Sequence, residues 1–467
     1  MRIIDHRQFQ KPLKKQRPWR RYALYGVAGL AGLFLLANAV MWVAYRGKVL
    51  PNYKLGTVDV SSLSFSELDK RFSANSLLPA NVTLTAGTAK TAVTPASMGV
   101  YADKVASTEA LKNSRPLLPL LSFVTHHTVS LALRVDDTGF NNGTKAIEPL
   151  FNYAPQPSHI ALSGSAFVIV DPSTGQQINA SQLKVQLQQG LKSGHSSVTV
   201  PSTVLAAPAP TDLKAEQQKL QKQLAAKLTF VYNGKTVAPT VGDIGKWYAA
   251  SGQTMAPADA QIGTYLDGIA ASAANRSDLL LAIKYALGKG QSLNFAVVPK
   301  GAITRTYCTA TRGVGEAALD EMIGKLAATY ADTRGWNAGG KMAFAHVASG
   351  CDYTVWLSAA NQMGSFGDIC DDYYNCQVGN SVVVNNDRWT LATDPWNATG
   401  ASLEDYRTLI IDHETGHRLG FYDDPVCPVA GGPAPVMMQQ SIDLHGCTFN
   451  RWPTAPEIAT VLARNGL

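Results

Sequence analysis

The sequence predicts an α+β protein: a single apolar helix near the N-terminus, two related α+β modules, and a C-terminal α+β domain that carries the chemistry. Three observations predict it. The run from Tyr22 to Tyr45 contains no charged side chain and is long enough to span a bilayer as a helix. Helix and strand patterns recur in the same order through the middle of the chain. All six cysteines and an H-E-x-x-H motif lie after residue 300.

The apolar run comes with a strongly biased flank. Residues 1–21 hold eight basic side chains against one acid, Asp5, an excess equal to the +7 net charge of the whole chain. The rest of the sequence is therefore balanced, which removes the electrostatic case for nucleic-acid binding. Basic residues crowd the cytoplasmic side of a spanning helix. The expectation is a cytoplasmic tail over 1–21, a single-pass transmembrane helix over 22–45, and extracytoplasmic domains anchored at the cell membrane. Trp19, Tyr22, Trp42 and Tyr45 sit near the two ends, where amphipathic rings favour the interface. A cleaved signal peptide with Ala37-Asn38-Ala39 as its site is the competing reading. Hydrophobicity continues through Met41-Trp42-Val43, which favours an uncleaved anchor.

The modules follow. Ser64 and Glu67 form a capping-box pattern for a short helix whose apolar face includes Leu68 and Phe72. An alternating strand begins at Val82, and Pro95 to Tyr101 comes after it. Later, a Gln/Lys-rich helix from about Asp212 to Lys227 precedes the strand Leu228–Tyr232, the hairpin signal Asn233-Gly234, and Pro239 to Tyr248. Another helix, capped by Asn179, presents Leu183, Leu187 and Leu191 on one face. The predicted boundaries are 46–200 and 211–300, with 201–210 as an Ala/Pro-rich linker. The motif Gly56-Thr-Val-Asp-Val-Ser-Ser-Leu63 and the helix–strand units after it resemble the peptidoglycan-binding domain of L,D-transpeptidases and of vancomycin-resistance W-type proteins. That resemblance implies peptidoglycan as a partner. A plain spacer explains the same residues equally well.

Residues 301–467 differ in texture. An even number of cysteines in an exported segment reads as disulfides. Proximity favours Cys370–Cys376 and Cys427–Cys447, which leaves Cys308–Cys351. Glu316 to Tyr330 shows a helical apolar face, and Ser381 to Val384 reads as a short apolar strand. Ser402 and Asp405 cap a helix that runs into His413-Glu-Thr-Gly-His417. Histidines four apart stand on one helical face, where both can reach one Zn²⁺ at about 2.0–2.1 Å. Glu414 can then act as general base on a zinc-activated water. Gly420 allows the chain to turn back, so that Asp423 three residues later can supply a third ligand. Asp424, His445 and Glu457 are the other downstream candidates for that ligand, and the Gly420 spacing favours Asp423. Met437 and Met438 follow where a methionine turn would form an apolar floor under the histidines.

The pattern HExxHxxGxxD with this methionine segment resembles the metzincin zinc proteases, with the snapalysin-type aspartate in place of a third histidine. Arg334-Gly-Trp336, Asn386-Asp-Arg-Trp389, Tyr406-Arg407, Pro435-Val-Met437, Cys447, Asn450 and Trp452-Pro453 extend the likeness to a family of exported actinobacterial domains of unassigned function with a metzincin-like core. The resemblance implies a zinc-dependent metalloendopeptidase that uses one catalytic Zn²⁺ and takes a protein or peptide substrate. It also implies that substrate pairs with an edge strand, and Val382, Val383 and Val384 are the strand expected by position. The competing readings are a non-catalytic wall-binding envelope protein with a structural HExxH helix, and a zinc hydrolase acting on cell-wall peptides.

Overall fold

The structure is a computed structural model that describes residues 19–422 and 425–467. The chain forms two compact units. The first comprises residues 1–156 and 173–208, and the second comprises 157–172 and 209–467.

In the first unit, helix α1 (Trp19–Ala44) is uncharged from Tyr22 onward and is the one described helix long and apolar enough to cross a membrane. Met41 and Tyr45, at its C-terminal end, pack against the core of the unit. Ser64 and Glu67 form the capping box on the helix Phe65–Ser73, and Leu68 and Phe72 are its buried positions. The strand Val82–Ala86 pairs antiparallel with Ala89–Val93 and parallel with Ser197–Thr199.

A similar hairpin recurs in the second unit. After the helix Lys214–Leu224, the strand Leu228–Tyr232 turns through Asn233-Gly234 into Lys235–Val237. Both turn residues have positive φ, as that tight hairpin requires. The first strand also pairs parallel with Leu293–Ala296. In the second unit a short helix and a β-pair follow the hairpin, then two helices, then the parallel strand, whereas the first unit interposes further helices and strands between its hairpin and its parallel strand. The two stretches share a hairpin whose first strand takes a parallel partner from much later in the chain.

The units part at 208/209, inside the expected linker 201–210, but two expectations about the boundaries need amending. The stretch 201–210 is not a loose linker throughout, because Ser202–Leu205 is a strand paired with Gly175–Ile178. Residue 300 does not separate compact units either. Helix α2 (Arg276–Lys289) of the second module packs on a helix of the C-terminal domain, α3 (Glu316–Ala331). Ala327, Ala328 and Ala331 share a core with Leu279, Ile283 and Phe295. A Cβ on Gly324 would clash with the Tyr285 ring, so only glycine permits this approach.

The C-terminal part is built on a five-stranded sheet. In chain order its strands are β1 (Ile303–Arg312), β2 (Met342–His346), β3 (Tyr353–Ser358), β4 (Cys376–Val378) and β5 (Ser381–Asn385), in the spatial order β2-β1-β3-β5-β4. All neighbours are parallel except the edge strand β4, which runs antiparallel to β5. Trp336, Trp389, Trp396 and Tyr406 fill the core shared by this sheet and its helices. Disulfides join Cys308 to Cys351, Cys370 to Cys376 and Cys427 to Cys447, the same pairs that chain proximity favours. The active-motif helix α4 (Leu403–Arg418) starts at the Ser402/Asp405 capping box.

Glu404, in the first turn of α4, ties three segments together. It accepts from Tyr285 Oη at 2.8 Å and Gln291 Nε2 at 3.3 Å, and it pairs with Lys325 at 3.3 Å and Arg407 at 2.9 Å. Burial pushes its carboxyl up, but the Lys325 ammonium and the Tyr285 and Gln291 donors hold it down to about 2. A carboxyl depressed on folding stabilises the fold above its ordinary pKa, and that contribution is lost as pH falls through the folded value. Melting curves should therefore show stability falling from about pH 4.5 towards pH 2, and Glu404→Gln should lower stability at neutral pH while flattening this acid dependence. An unchanged acid slope in the variant would contradict the assignment.

Candidate metal centre

Helix α4 is buried along its face from Tyr406 to Gly416, so its orientation is fixed by packing. His413 Nδ1 lies 2.9 Å from the carbonyl oxygen of Val436, and His417 Nδ1 lies 2.8 Å from that of Phe421. A carbonyl only accepts, so each Nδ1 carries the ring proton and donates it. Each Nε2 then presents its lone pair, and the two Nε2 atoms are 3.1 Å apart. Two nitrogens bound to one tetrahedral zinc at about 2.0–2.1 Å would be about 3.3 Å apart. The rings thus fit a shared cation, with the backbone contacts that fix tautomer and orientation in metal-binding histidines.

Each carbonyl is delivered by a device in the sequence. Gly420 sits at φ +101°, and Phe421 N bonds back to Gly416 O at 3.1 Å, which turns the Phe421 carbonyl onto His417. Val436 is held by Glu457, in the first turn of α5 (Ala455–Arg464). The Glu457 carboxylate accepts from Val436 N at 3.2 Å, Met437 N at 2.9 Å and Thr454 N at 2.7 Å. Those bonds occupy the Glu457 carboxylate, which holds the methionine segment in place. His445 is exposed beside Asp443 and is not brought to the histidine pair. Asp423, the expected third ligand, and Asp424 lie outside the described residues. Among the described residues no group of three or more His, Cys, Asp or Glu comes together.

Met437 and Met438 divide the methionine roles. Met437 is fully buried with its Sδ against Gly416, one position before His417, and Trp336 closes the same spot from another side. The Trp336 indole also donates to Asp412 O at 2.8 Å. Met438 packs instead with Ala434 and Cys447 and faces a cleft. Asp412, one position before His413, is wholly buried, and burial with the neighbouring Asp332 carboxylate holds it well above the usual carboxylate range.

That cleft is bordered by His413, Glu414, Tyr374, Asn375, Gln439 and Ser441, among others, and its volume of about 20 Å³ is room for one water. Tyr374 and Asn375 were not singled out by sequence. They stand just before the edge strand β4, in a loop closed by Cys370–Cys376, and Asn375 Oδ1 accepts from Asn385 N at 2.9 Å. The short cysteine spacing was the signal available for them.

The expected substrate strand must be corrected. Val382, Val383 and Val384 lie in β5, which is paired with β3 on one side and β4 on the other, and all three are fully buried. An unbroken valine run is the pattern of an interior strand covered on both faces. The strand with an open edge on this side is β4.

Fold and site together define an α/β domain with two histidines converging on one point, set next to an antiparallel edge strand. Residues 284–455, which hold α4 and the methionine segment, match a family described as a protein of unknown function, DUF3152. No curated protein matches the chain. Among solved structures, a cysteine-to-serine mutant of Enterococcus faecium L,D-transpeptidase is similar over 20% of this chain and 53% of that one, at 14% identity and a TM-score of 0.16. The chain thus spans about half the length of that structure.

The contact of Met437 with Gly416 is testable by a double-mutant cycle. Gly416→Ala should cost about 1–3 kcal/mol through overpacking, and Met437→Ala about 2–5 kcal/mol through a cavity. The double variant should cost clearly less than the two together, because removing the thioether makes room for the new methyl. Strict additivity in denaturant melts would show that the two side chains do not touch.

Proposed function

We propose that the chain is a membrane-anchored, extracytoplasmic zinc metallopeptidase of the metzincin-like kind. The observation that carries this reading is the pair of imidazoles whose Nε2 atoms converge at 3.1 Å while both Nδ1 atoms donate to backbone carbonyls. His413, His417 and Asp423 would hold one Zn²⁺. The Met437 floor under the helix and the open edge of β4 beside it support the same reading.

Zinc bound there would supply Lewis-acid polarisation of water and of the scissile carbonyl. The chain's own groups do the rest. Glu414 borders the cleft, takes a proton from water on a carboxylate oxygen, and passes it to the leaving amine nitrogen. An extended peptide pairs its backbone with the free edge of β4, which gives affinity with little sequence preference. Tyr374 and Asn375, directly before that strand, then sit at the side of the bound chain.

Localisation rests on two supports. Helix α1 has spanning length and an N-terminal basic flank in the sequence, and the three disulfides suit an oxidising compartment. The two modules would carry the peptidase domain at the envelope, with peptidoglycan as the proposed ligand of their outer surface.

The test uses the purified full chain in detergent. It should contain one zinc per chain and cleave an unstructured protein such as casein. Glu414→Gln should keep the metal and lose hydrolysis, whereas His417→Ala should lose both. Asp423→Ala should weaken zinc retention, since catalytic sites usually have three protein ligands, and Asp423→His should retain it. A chain without stoichiometric zinc, or zinc-loaded Glu414→Gln with full activity, would overturn the assignment.

A further inference from the structure

A polar residue lies within the apolar helix α1. Asn38 is only 4% exposed although its neighbours Leu35, Leu36 and Val40 are open to the surroundings. Its Oδ1 accepts from Leu120 N at 2.9 Å and its Nδ2 donates to Phe34 O at 2.8 Å. The segment that covers it is Pro116–Val124, which has the sequence PLLPLLSFV and no charge.

This segment runs down α1 in register. Arg115 donates to the carbonyls of Tyr45 and Lys48, just past the C-terminal end of the helix. Leu117 O accepts from Trp42 Nε1 at 3.3 Å. Leu120 N meets Asn38. From Tyr45 to Asn38 this is a descent of about 10 Å along the helix at 1.5 Å per residue. The chain then climbs out, where Asn52 Nδ2 donates to Ser122 O and Phe123 O at 3.0 Å each, and His127 N donates to Asn52 O.

The outward face of the segment is apolar. Leu117 is 91% exposed, Val124 77%, Phe123 52% and Leu121 40%. One exposed leucine needs no explanation, but four large apolar side chains continuous with the bare face of α1 form a patch that marks an interaction surface. The backbone is treated as it would be away from water. Pro116 and Pro119 have no N–H, Pro119–Phe123 is a 3₁₀ turn, and the Ser122 hydroxyl donates to Pro119 O at 2.7 Å. Non-helical backbone is tolerated at membrane depth only when its polar groups are satisfied within the protein.

We propose that residues 116–124 form a re-entrant strap that enters the outer leaflet beside α1, its occupant being lipid hydrocarbon. The strap lets α1 carry Asn38 at that depth, because the amide bonds to protein there instead of facing acyl chains. Arg115 marks the level where it leaves water. The inference rests on reading α1 as a membrane span, and the experiment separates the two.

The native cysteines are all paired, so a single added cysteine takes a spin label alone. Labels at Leu117→Cys and Val124→Cys (strap), Leu33→Cys (α1) and Val185→Cys (exposed on the helix Ala180–Lys192) are placed in the full chain, reconstituted in phosphatidylcholine–phosphatidylglycerol vesicles. Collision rates with oxygen and with a water-soluble nickel chelate are then measured. The strap labels should behave like Leu33→Cys, with oxygen favoured several-fold, and Val185→Cys should show the reverse. If Leu33→Cys sits in lipid while the strap labels meet nickel, the strap is rejected and the anchor stands. If Leu33→Cys itself meets nickel, the span fails and the strap with it. Strap labels shielded from both probes would overturn the lipid assignment in favour of a protein partner.

Discussion

The two bonds from imidazole Nδ1 to backbone carbonyl are the constraint around which the C-terminal domain is arranged. They decide which nitrogen of His413 and of His417 carries the proton, and therefore that the two Nε2 atoms face one another. Each acceptor is itself fixed from elsewhere. Gly420 turns the Phe421 carbonyl inward, and Glu457 grips the amides on either side of the Val436 carbonyl from the start of α5. The helix that carries the rings cannot rotate to relieve a misfit, because Trp336 holds Asp412 O and Met437 lies on Gly416. A metal that needs three ligands within tenths of an ångström gains from such preorganisation, since ordering is completed on folding and not on binding.

The sheet sets where a substrate could approach. Of the four parallel strands β5 buries its valine run on both faces, and on the side nearest α4 only the antiparallel β4 leaves an edge. A disulfide across six residues tightens the loop that feeds this edge and holds Tyr374 and Asn375 against the cleft. The open edge and the histidine pair are therefore carried by separate elements, joined through β5.

Local patterns made the helices legible in sequence. Ser64/Glu67 and Ser402/Asp405 are capping boxes in the structure as in the sequence, and Asn233-Gly234 makes its hairpin. The histidine spacing was legible for the same reason, since four residues is one helical turn. Strand neighbours were not. Ser381–Val384 reads the same whether it is an edge or an interior strand, because pairing is decided by segments far along the chain, and β4 carries few residues to announce itself. Glu457 was weighed as a ligand because its type fits one. Only the fold reveals that backbone amides use its carboxylate. The boundary at residue 300 misled for a related reason: the Tyr285–Gly324 approach that erases it joins residues on two helices, and no periodicity signals it.

The path of the chain between its two units has a mechanical consequence. The backbone passes between them three times, at 156/157, 172/173 and 208/209, because the hairpin of His159–Ser163 and Ala166–Val170 belongs to the second unit while the chain on both sides of it belongs to the first. That hairpin is keyed in place by Ile160 N on Gln253 O at 2.8 Å, by Phe167 N on Gln221, and by the Phe167–Tyr248 ring contact. Residues 206–212 are the exposed stretch where a protease would nick first. A single nick there leaves the rest of the second unit still holding its own hairpin, whose two ends continue into the first, so separation also requires the hairpin to be pulled out of its seat. The tether is in effect doubled, and the half of the chain that carries the histidines stays moored after one cut.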